Sequence, residues 1–270
     1  MPIITISRGS YSYGKETAEK LAEKLGYECI SREILMEASE QFHVPELKLV
    51  RAIHDSPTIL ERFTHGKEKY VAFIRAALLK HLQKDNIIYH GFAGQFFLPD
   101  ISHVLKVRII ANLDKRIEVV MKRDHVSAEK ALYILKKDDE ERRKWSLYLY
   151  GMDTWDPRLY DLVFHIDKLS INDVVNMIMD AVKQPAFQTT EASQKKLTNL
   201  ALAAQIEAAM VNEFPIIHAS IENDKVMVNV TGSMEEREAI TRKIENTIRR
   251  MMRIDTIQVN IIPSMKDIQL

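Results

Sequence analysis

Cysteine is almost absent from this 270-residue chain. Cys29 stands alone, so no internal disulfide can form and no cysteine-based zinc site is expected. Net charge is missing too: 38 Lys and Arg balance 38 Asp and Glu, which removes the global electrostatic case for a nucleic-acid partner. No apolar run approaches the roughly 20 residues needed to cross a bilayer. The N-terminus enters a strand-like segment with no signal-peptide pattern. These absences make the expectation a cytoplasmic protein with no transmembrane segment. The nine histidines show no metal-ligand spacing. What the chain does have is apolar content, at 46%, which supports a packed core, and a length at which two domains are expected.

The most informative stretch is Gly9-Ser10-Tyr11-Ser12-Tyr13-Gly14-Lys15-Glu16-Thr17. It follows the apolar run Ile3–Ile6 and precedes the helix-like Ala18–Leu25. Strand, glycine-bounded loop, lysine and helix in that order define the context of a phosphate-binding loop. Successive main-chain N–H groups would wrap a polyphosphate, and the helix N-terminus adds a positive dipole end. Lys15 is expected to reach the terminal phosphates. In the pattern G-x-x-x-x-G-K-[ST], Glu16 occupies the hydroxyl position and Thr17 supplies a hydroxyl one place later. A Gly-Lys-x-Thr ending is carried by small-molecule kinases of the nucleoside monophosphate kinase group, and Thr17 is then expected at the metal. The bland alternative is a tight strand-to-helix turn with no ligand.

Residues 1–183 alternate strand-like and helix-like segments. Strands are expected near Ile3–Ile6, Tyr27–Ile30, Asn86–His90, Val104–Ala111 and Leu162–Ile166, with helices between them, which argues for a parallel sheet with flanking helices. Helices are also expected from about Asp114 and from Ser127, the latter with a cap-like start. Residues 184–194 hold Pro185, Gln188, Thr189, Thr190 and Ser193 and read as a linker. A helix from about Lys195, strands near Ile216–Glu222 and Val226–Val230, a helix from Met234 and a strand at Ile257–Ile261 follow. The fold class is α/β in the manner of a phosphate-loop kinase, joined to a small α+β unit of order αββαβ over residues 195–270.

Residues 1–183 resemble the cytidylate kinase-like family. The likeness is carried by Ile4-Thr5-Ile6-Ser7-Arg8 before the loop, Ile30-Ser31-Arg32-Glu33-Ile34-Leu35, and Ile87-Ile88-Tyr89-His90-Gly91-Phe92-Ala93-Gly94. The most specific segment is Tyr150-Gly151-Met152-Asp153-Thr154-Trp155-Asp156-Pro157, continuing to Leu159-Tyr160-Asp161-Leu162. The resemblance implies transfer of the terminal phosphate of ATP, with Mg2+, to a nucleoside monophosphate or similar acceptor, in a layout of core, acceptor-binding segment and lid. It places Gly9 to Thr17 and Arg116 on the nucleotide, Arg142 and Arg143 in the lid beside Lys15 as catalytic cations, and Arg32 and Gly91 on the acceptor. Arg51, Arg62 and Arg75 are further candidates there. Helical ion pairs with Asp138 to Glu141 are the rival account of Arg142 and Arg143, and His90 reads as a histidine satisfied locally. The departure follows Gly91: the family's Arg-Asp pair is replaced by Phe92-Ala93, which removes a cation near the acceptor phosphate and an acid near the metal. A nucleotide-binding regulator impaired in catalysis is therefore the alternative.

Residues 196–262 resemble a BON domain in their αββαβ order and the glycine ending Val226–Gly232. That likeness implies a protein or lipid partner. The cluster Arg249, Arg250 and Arg253 reads first as a solvated helix face.

Overall fold

The computed structural model describes residues 2–54, 68–91 and 93–263. Arg62 and Phe92 lie outside them. Strands β1 (Ile3–Arg8), β2 (Glu28–Ile30), β3 (Ile87–Tyr89), β4 (Val104–Ala111) and β5 (Leu162–Ile166) form one sheet in the order β2-β3-β1-β4-β5. Every pairing in it is parallel. Parallel strands need crossover connections, and helices on both faces bury them, so β1 and β4 read as near-continuous apolar runs.

One face carries helix α1 (Gly14–Leu25), with Leu21 against Ile4, Ile6, Val107 and Ile109. The other carries α2 (Glu33–Phe42), α3 (Glu46–His54) and α4 (Glu68–Leu82). A four-residue helix α5 (Gly94–Phe97) follows β3. Above the carboxyl ends of the strands lie α6 (Leu113–Asp124) and the 23-residue α7 (Ala128–Tyr150). Ser127 caps α7 by accepting from the Lys130 N–H, as its cap-like sequence predicts. Fully buried Trp145 ties α7 to α3 by donating from Nε1 to the Ala52 carbonyl at 2.7 Å. Helix α8 (Ile171–Val182) returns to the α1 face behind a Ser170–Asp173 capping box.

The expected linker is shorter than the sequence suggests. Helix α9 (Glu191–Met210) starts inside it, at a Thr190–Ser193 capping box. Thr189 Oγ1 donates to Asp85 Oδ2 and Gln194 Nε2 to the Gln83 carbonyl, so this segment is tied down. After α9 come β6 (Ile217–Glu222) and β7 (Lys225–Gly232), an antiparallel pair joined by Asn223 and Asp224, both at positive φ. Such a turn matches the strand twist. Helix α10 (Arg237–Met251) then leads to β8 (Thr256–Pro263), parallel to β7. Val226, Val228 and Val230 all point inward, as their alternation requires.

Helix α9 serves two cores. Leu197, Ala201, Ala204 and Ala208 enter the α2–α4 core, while Ala203, Ile206 and Met210 face the three-stranded sheet. Buried Glu207 joins both: it pairs with Arg75 of α4 and accepts from the Ala219 N–H of β6 at 3.0 Å.

Candidate active site

The loop between β1 and α1 is held open by its backbone. Tyr11 and Tyr13 adopt left-handed φ of 57° and 64°, a conformation that costs non-glycine residues about 1 kcal/mol. Hydrogen bonds offset this. The Gly9 N–H donates to the Ile109 carbonyl at 3.1 Å. The Ser12 hydroxyl shares its proton between the carbonyls of Gly9 and Ile109, at 2.9 and 2.8 Å. Gly14 must be glycine here, because a Cβ would lie 2.7 Å from Cβ of Arg8.

Helix pair α6–α7 closes against this loop. Arg116 Nε donates to the Ser10 carbonyl at 2.7 Å, and its Nη2 meets Asp139 Oδ2 at 2.6 Å. Asp139 Oδ1 accepts from the Ser10 N–H at 3.1 Å. Arg142 donates from Nη1 to the Arg8 carbonyl at 3.2 Å. Burial and the neighbouring Arg8 cation push Arg142 below the usual arginine range. Arg123 sits 4.4 Å from the ring centre of Tyr11.

A cleft of about 860 Å³ runs from this loop to the ends of α2 and β3. It brings together most of the residues the sequence singles out. Gly9 through Glu16 line it, with Arg32, Gly91 and Arg142. Lys15 is exposed to it, 3.6 Å from Glu19 on the next turn. Arg32 lies 3.6 Å from Glu46. At Gly91 a Cβ would fall 2.0 Å from the Tyr89 hydroxyl, so any side chain there displaces Tyr89.

Three expectations need correcting. Thr17 does not reach the cleft: it is fully buried, and its hydroxyl donates to the Tyr13 carbonyl at 2.7 Å. One helical turn after the loop, this hydroxyl bonds its own helix instead of a metal. Arg143 points away from the loop. Its Nε donates to Asp153 Oδ2 at 2.8 Å, and its guanidinium lies 5.3 Å from the Trp155 ring centre, so it holds residues 153–155 in place. Arg75 belongs to Glu207 and not to an acceptor.

The structure adds Arg8, which the sequence showed only as part of a strand motif, and gives His90 a local partner. Arg8 points beneath the loop, its Nη1 3.4 Å from Nδ1 of His90. His90 is buried, and burial and then the Arg8 charge lower its pKa to about 4. The imidazole is therefore neutral at pH 7 and accepts from the guanidinium. The available signal was position: Arg8 ends β1 and His90 directly follows β3, and both line the cleft.

Magnesium prefers oxygen donors and usually keeps waters and substrate phosphates as ligands. Ser10 Oγ fits that chemistry, being buried on the cleft wall without a hydrogen-bond partner, and the Glu16 carboxylate also faces the cleft. Among the described residues no group of three or more His, Cys, Asp or Glu is arranged to hold a metal. Among the same residues no helix is long and apolar enough to cross a membrane.

A parallel sheet with a glycine-bounded loop at its carboxyl edge, roofed by an arginine-bearing helix pair, defines a protein of the phosphate-loop kinase type. The model of the cytidylate kinase-like family matches residues 3–168, and the chain belongs to that family. It is 25% identical over 181 residues to a cytidylate kinase of Sulfolobus acidocaldarius, covering 66% of this chain and 93% of the relative. A cytidylate kinase of Pyrobaculum aerophilum is 24% identical over 182 residues, with 67% and 92% covered. The crystal structure of an uncharacterized protein from Eubacterium ventriosum superposes with a TM-score of 0.52 at 21% identity, covering 68% of this chain and 99% of that one; this likeness speaks for the fold alone. Family and relatives support a nucleotide kinase, and the family implies ATP use, typically with Mg2+.

Proposed function

We propose that the chain transfers the terminal phosphate of ATP to a nucleoside monophosphate or a similar small acceptor. The observation that carries this reading is a single cleft shared by the loop Gly9–Glu16, the lid cation Arg142 and the acceptor-side residues Arg32 and Gly91. Phosphoryl transfer asks little covalent chemistry of a protein. It asks for positioning in line and for cations where charge develops. In this reading the loop amides cradle the phosphates and the Lys15 ammonium meets their terminal oxygens. Arg142 adds positive charge from the lid, and Arg116 sets the loop's shape through Ser10. Arg32 faces the acceptor. Ser10 Oγ and Glu16 would hold Mg2+ beside the phosphates, and the ion would neutralise their charge.

The test is direct. Purified protein with ATP, Mg2+ and a panel of nucleoside monophosphates is expected to form diphosphates, and Lys15→Ala to abolish this. Tight ATP binding without turnover on any acceptor would replace this reading with the nucleotide-binding regulator. Phe92-Ala93 in place of Arg-Asp and the Asp139 carboxylate on the Ser10 N–H favour that second account.

For residues 195–270 we infer a BON-like docking unit for a protein or lipid partner, supported by the αββαβ order and the exposed arginines ending α10. The full chain sedimenting with anionic liposomes would support a lipid partner.

A further inference from the structure

We propose that Arg108 is the residue that receives the anionic group of the acceptor. This rests on the phosphotransferase reading above and names the residue that positions its acceptor.

Arg108 lies in the middle of β4, yet it is 93% buried (7% exposed) and lines the cleft. Its register partner on β1 is Ser7, so both point to the same side of the sheet. That side is the one covered by α2, α3 and α4, since the alternate residues Val107 and Ile109 pack on the α1 side. The loop and Lys15 belong to α1. Arg108 thus stands on the acceptor side of the cleft.

What holds it is neutral. Nη1 donates to Ser7 Oγ and to the Tyr160 hydroxyl, each at 3.2 Å, and the guanidinium lies 5.4 Å from the Tyr160 ring centre. Tyr160 is fixed in turn: its hydroxyl donates to the Thr154 carbonyl at 3.0 Å and receives Gln95 Nε2 at 3.4 Å. Asp153 feels the Arg108 charge, but its carboxylate bonds Arg143 and the Trp155 N–H. No carboxylate among the described residues pairs with Arg108, and its Nε and Nη2 make no hydrogen bond there.

A cation withdrawn this far from water needs an anion, because isolated charge is costly to bury. Here the donors left over are one Nε–H and the Nη2 group, the planar fork that matches two oxygens of a phosphate or carboxylate. Gln95, on the same tyrosine, lies in the first turn of the short helix that follows Gly91. The cation lost at Phe92-Ala93 has a counterpart reaching the cleft from β4.

The experiment measures binding of ATP, of CMP, UMP and AMP, and of the uncharged nucleosides, by calorimetry on the full-length wild type, Arg108→Met, Arg108→Lys and Tyr160→Phe. Arg108→Met is expected to weaken the bound monophosphate about 10- to 100-fold, with ATP and the nucleosides changed less than about 2-fold on the same scale. Arg108→Lys keeps charge but not the fork and falls between. Tyr160→Phe removes an anchor and weakens the monophosphate several-fold; it and Arg108→Lys decide the matter should Arg108→Met fail to fold. A folded Arg108 variant that binds monophosphates like the wild type, or loses ATP equally, overturns the assignment while leaving the phosphotransferase reading intact. A wild type that binds ATP but no monophosphate overturns both.

Discussion

The two ends of the cleft are built by opposite means. The loop end is polar and braced from above: Ser12, Arg116 and Asp139 hold main-chain atoms of residues 9 and 10, and Arg142 holds Arg8. The acceptor end is braced from behind by an apolar core. Helices α2 to α4 pack on Leu197, Ala201 and Ala204 of α9, and the partly buried Arg75 is matched by Glu207. Phosphate oxygens are alike in every nucleotide, so fixed amides and cations suffice to hold them. An acceptor is recognised by shape as well as by its charge at Arg108, and shape is set by how helices pack. The loop end should therefore fail through charge, the acceptor end through packing as well as through the charge of Arg108.

The largest effect expected under this contrast is at Lys15. Lys15→Ala should lower kcat/KM for phosphoryl transfer by about 1000-fold, on the order of 4 kcal/mol of transition-state stabilisation, with an unchanged melting temperature. A stability loss as large as the activity loss would break the contrast. Next is Glu207→Ala. It leaves Arg75 without its carboxylate and the Ala219 N–H without its acceptor, a loss of about 2–3 kcal/mol. For a chain of this size that lowers Tm by about 5–10 °C. Acceptor KM should rise more than ATP KM, since α4 packs behind the acceptor side only. Equal changes in both would mean that α9 supports the whole molecule evenly.

How much of this was readable beforehand differs along the same line. The loop was legible because its constraints are local: Gly14 and Lys15 follow a strand within a few residues. The strands β1 and β4 were legible because burial on both faces makes them mostly apolar. Arg108 was hidden in plain view in Val-Leu-Lys-Val-Arg-Ile-Ile-Ala, where Lys106 and Arg108 alternate with apolar neighbours. In a strand buried on both faces that alternation marks a polar cleft and not a solvated surface. The start of α9 was missed because Thr190 and Ser193 share their composition with linkers, although their spacing is that of a capping box. Thr17 was misplaced by pattern matching, because a hydroxyl shifted by one residue turns about 100° around the helix.

His90 and Arg8 join the two ends and yield a pH test. The folded His90 pKa near 4 lies below the ordinary value of 6.5. The unfolded chain therefore takes up a proton first as pH falls. Stability is fully present above pH 6.5 and is lost as pH drops from 6.5 towards 4, by about 3 kcal/mol from this group. Chemical denaturation of wild type and His90→Gln across that window should show a flatter profile for the variant. Parallel profiles would mean that His90 is not the group responsible.

The smallest effect sharpens the contrast at the loop. The Asp139 carboxylate accepts from the Ser10 N–H and pairs with Arg116, a donor and a cation that a nucleotide phosphate would also use. Replacing carboxylate with amide keeps the shape and removes a negative charge from the phosphate site, where like charges repel. Asp139→Asn should therefore bind ATP about 3- to 10-fold tighter, a change of roughly 1 kcal/mol, and leave acceptor affinity unaltered. The gain should shrink in high salt, because it is electrostatic. Weaker ATP binding in the variant would mean that Asp139 shapes the loop for the nucleotide and does not compete with it. The loop end would then depend on placement as much as the acceptor end does.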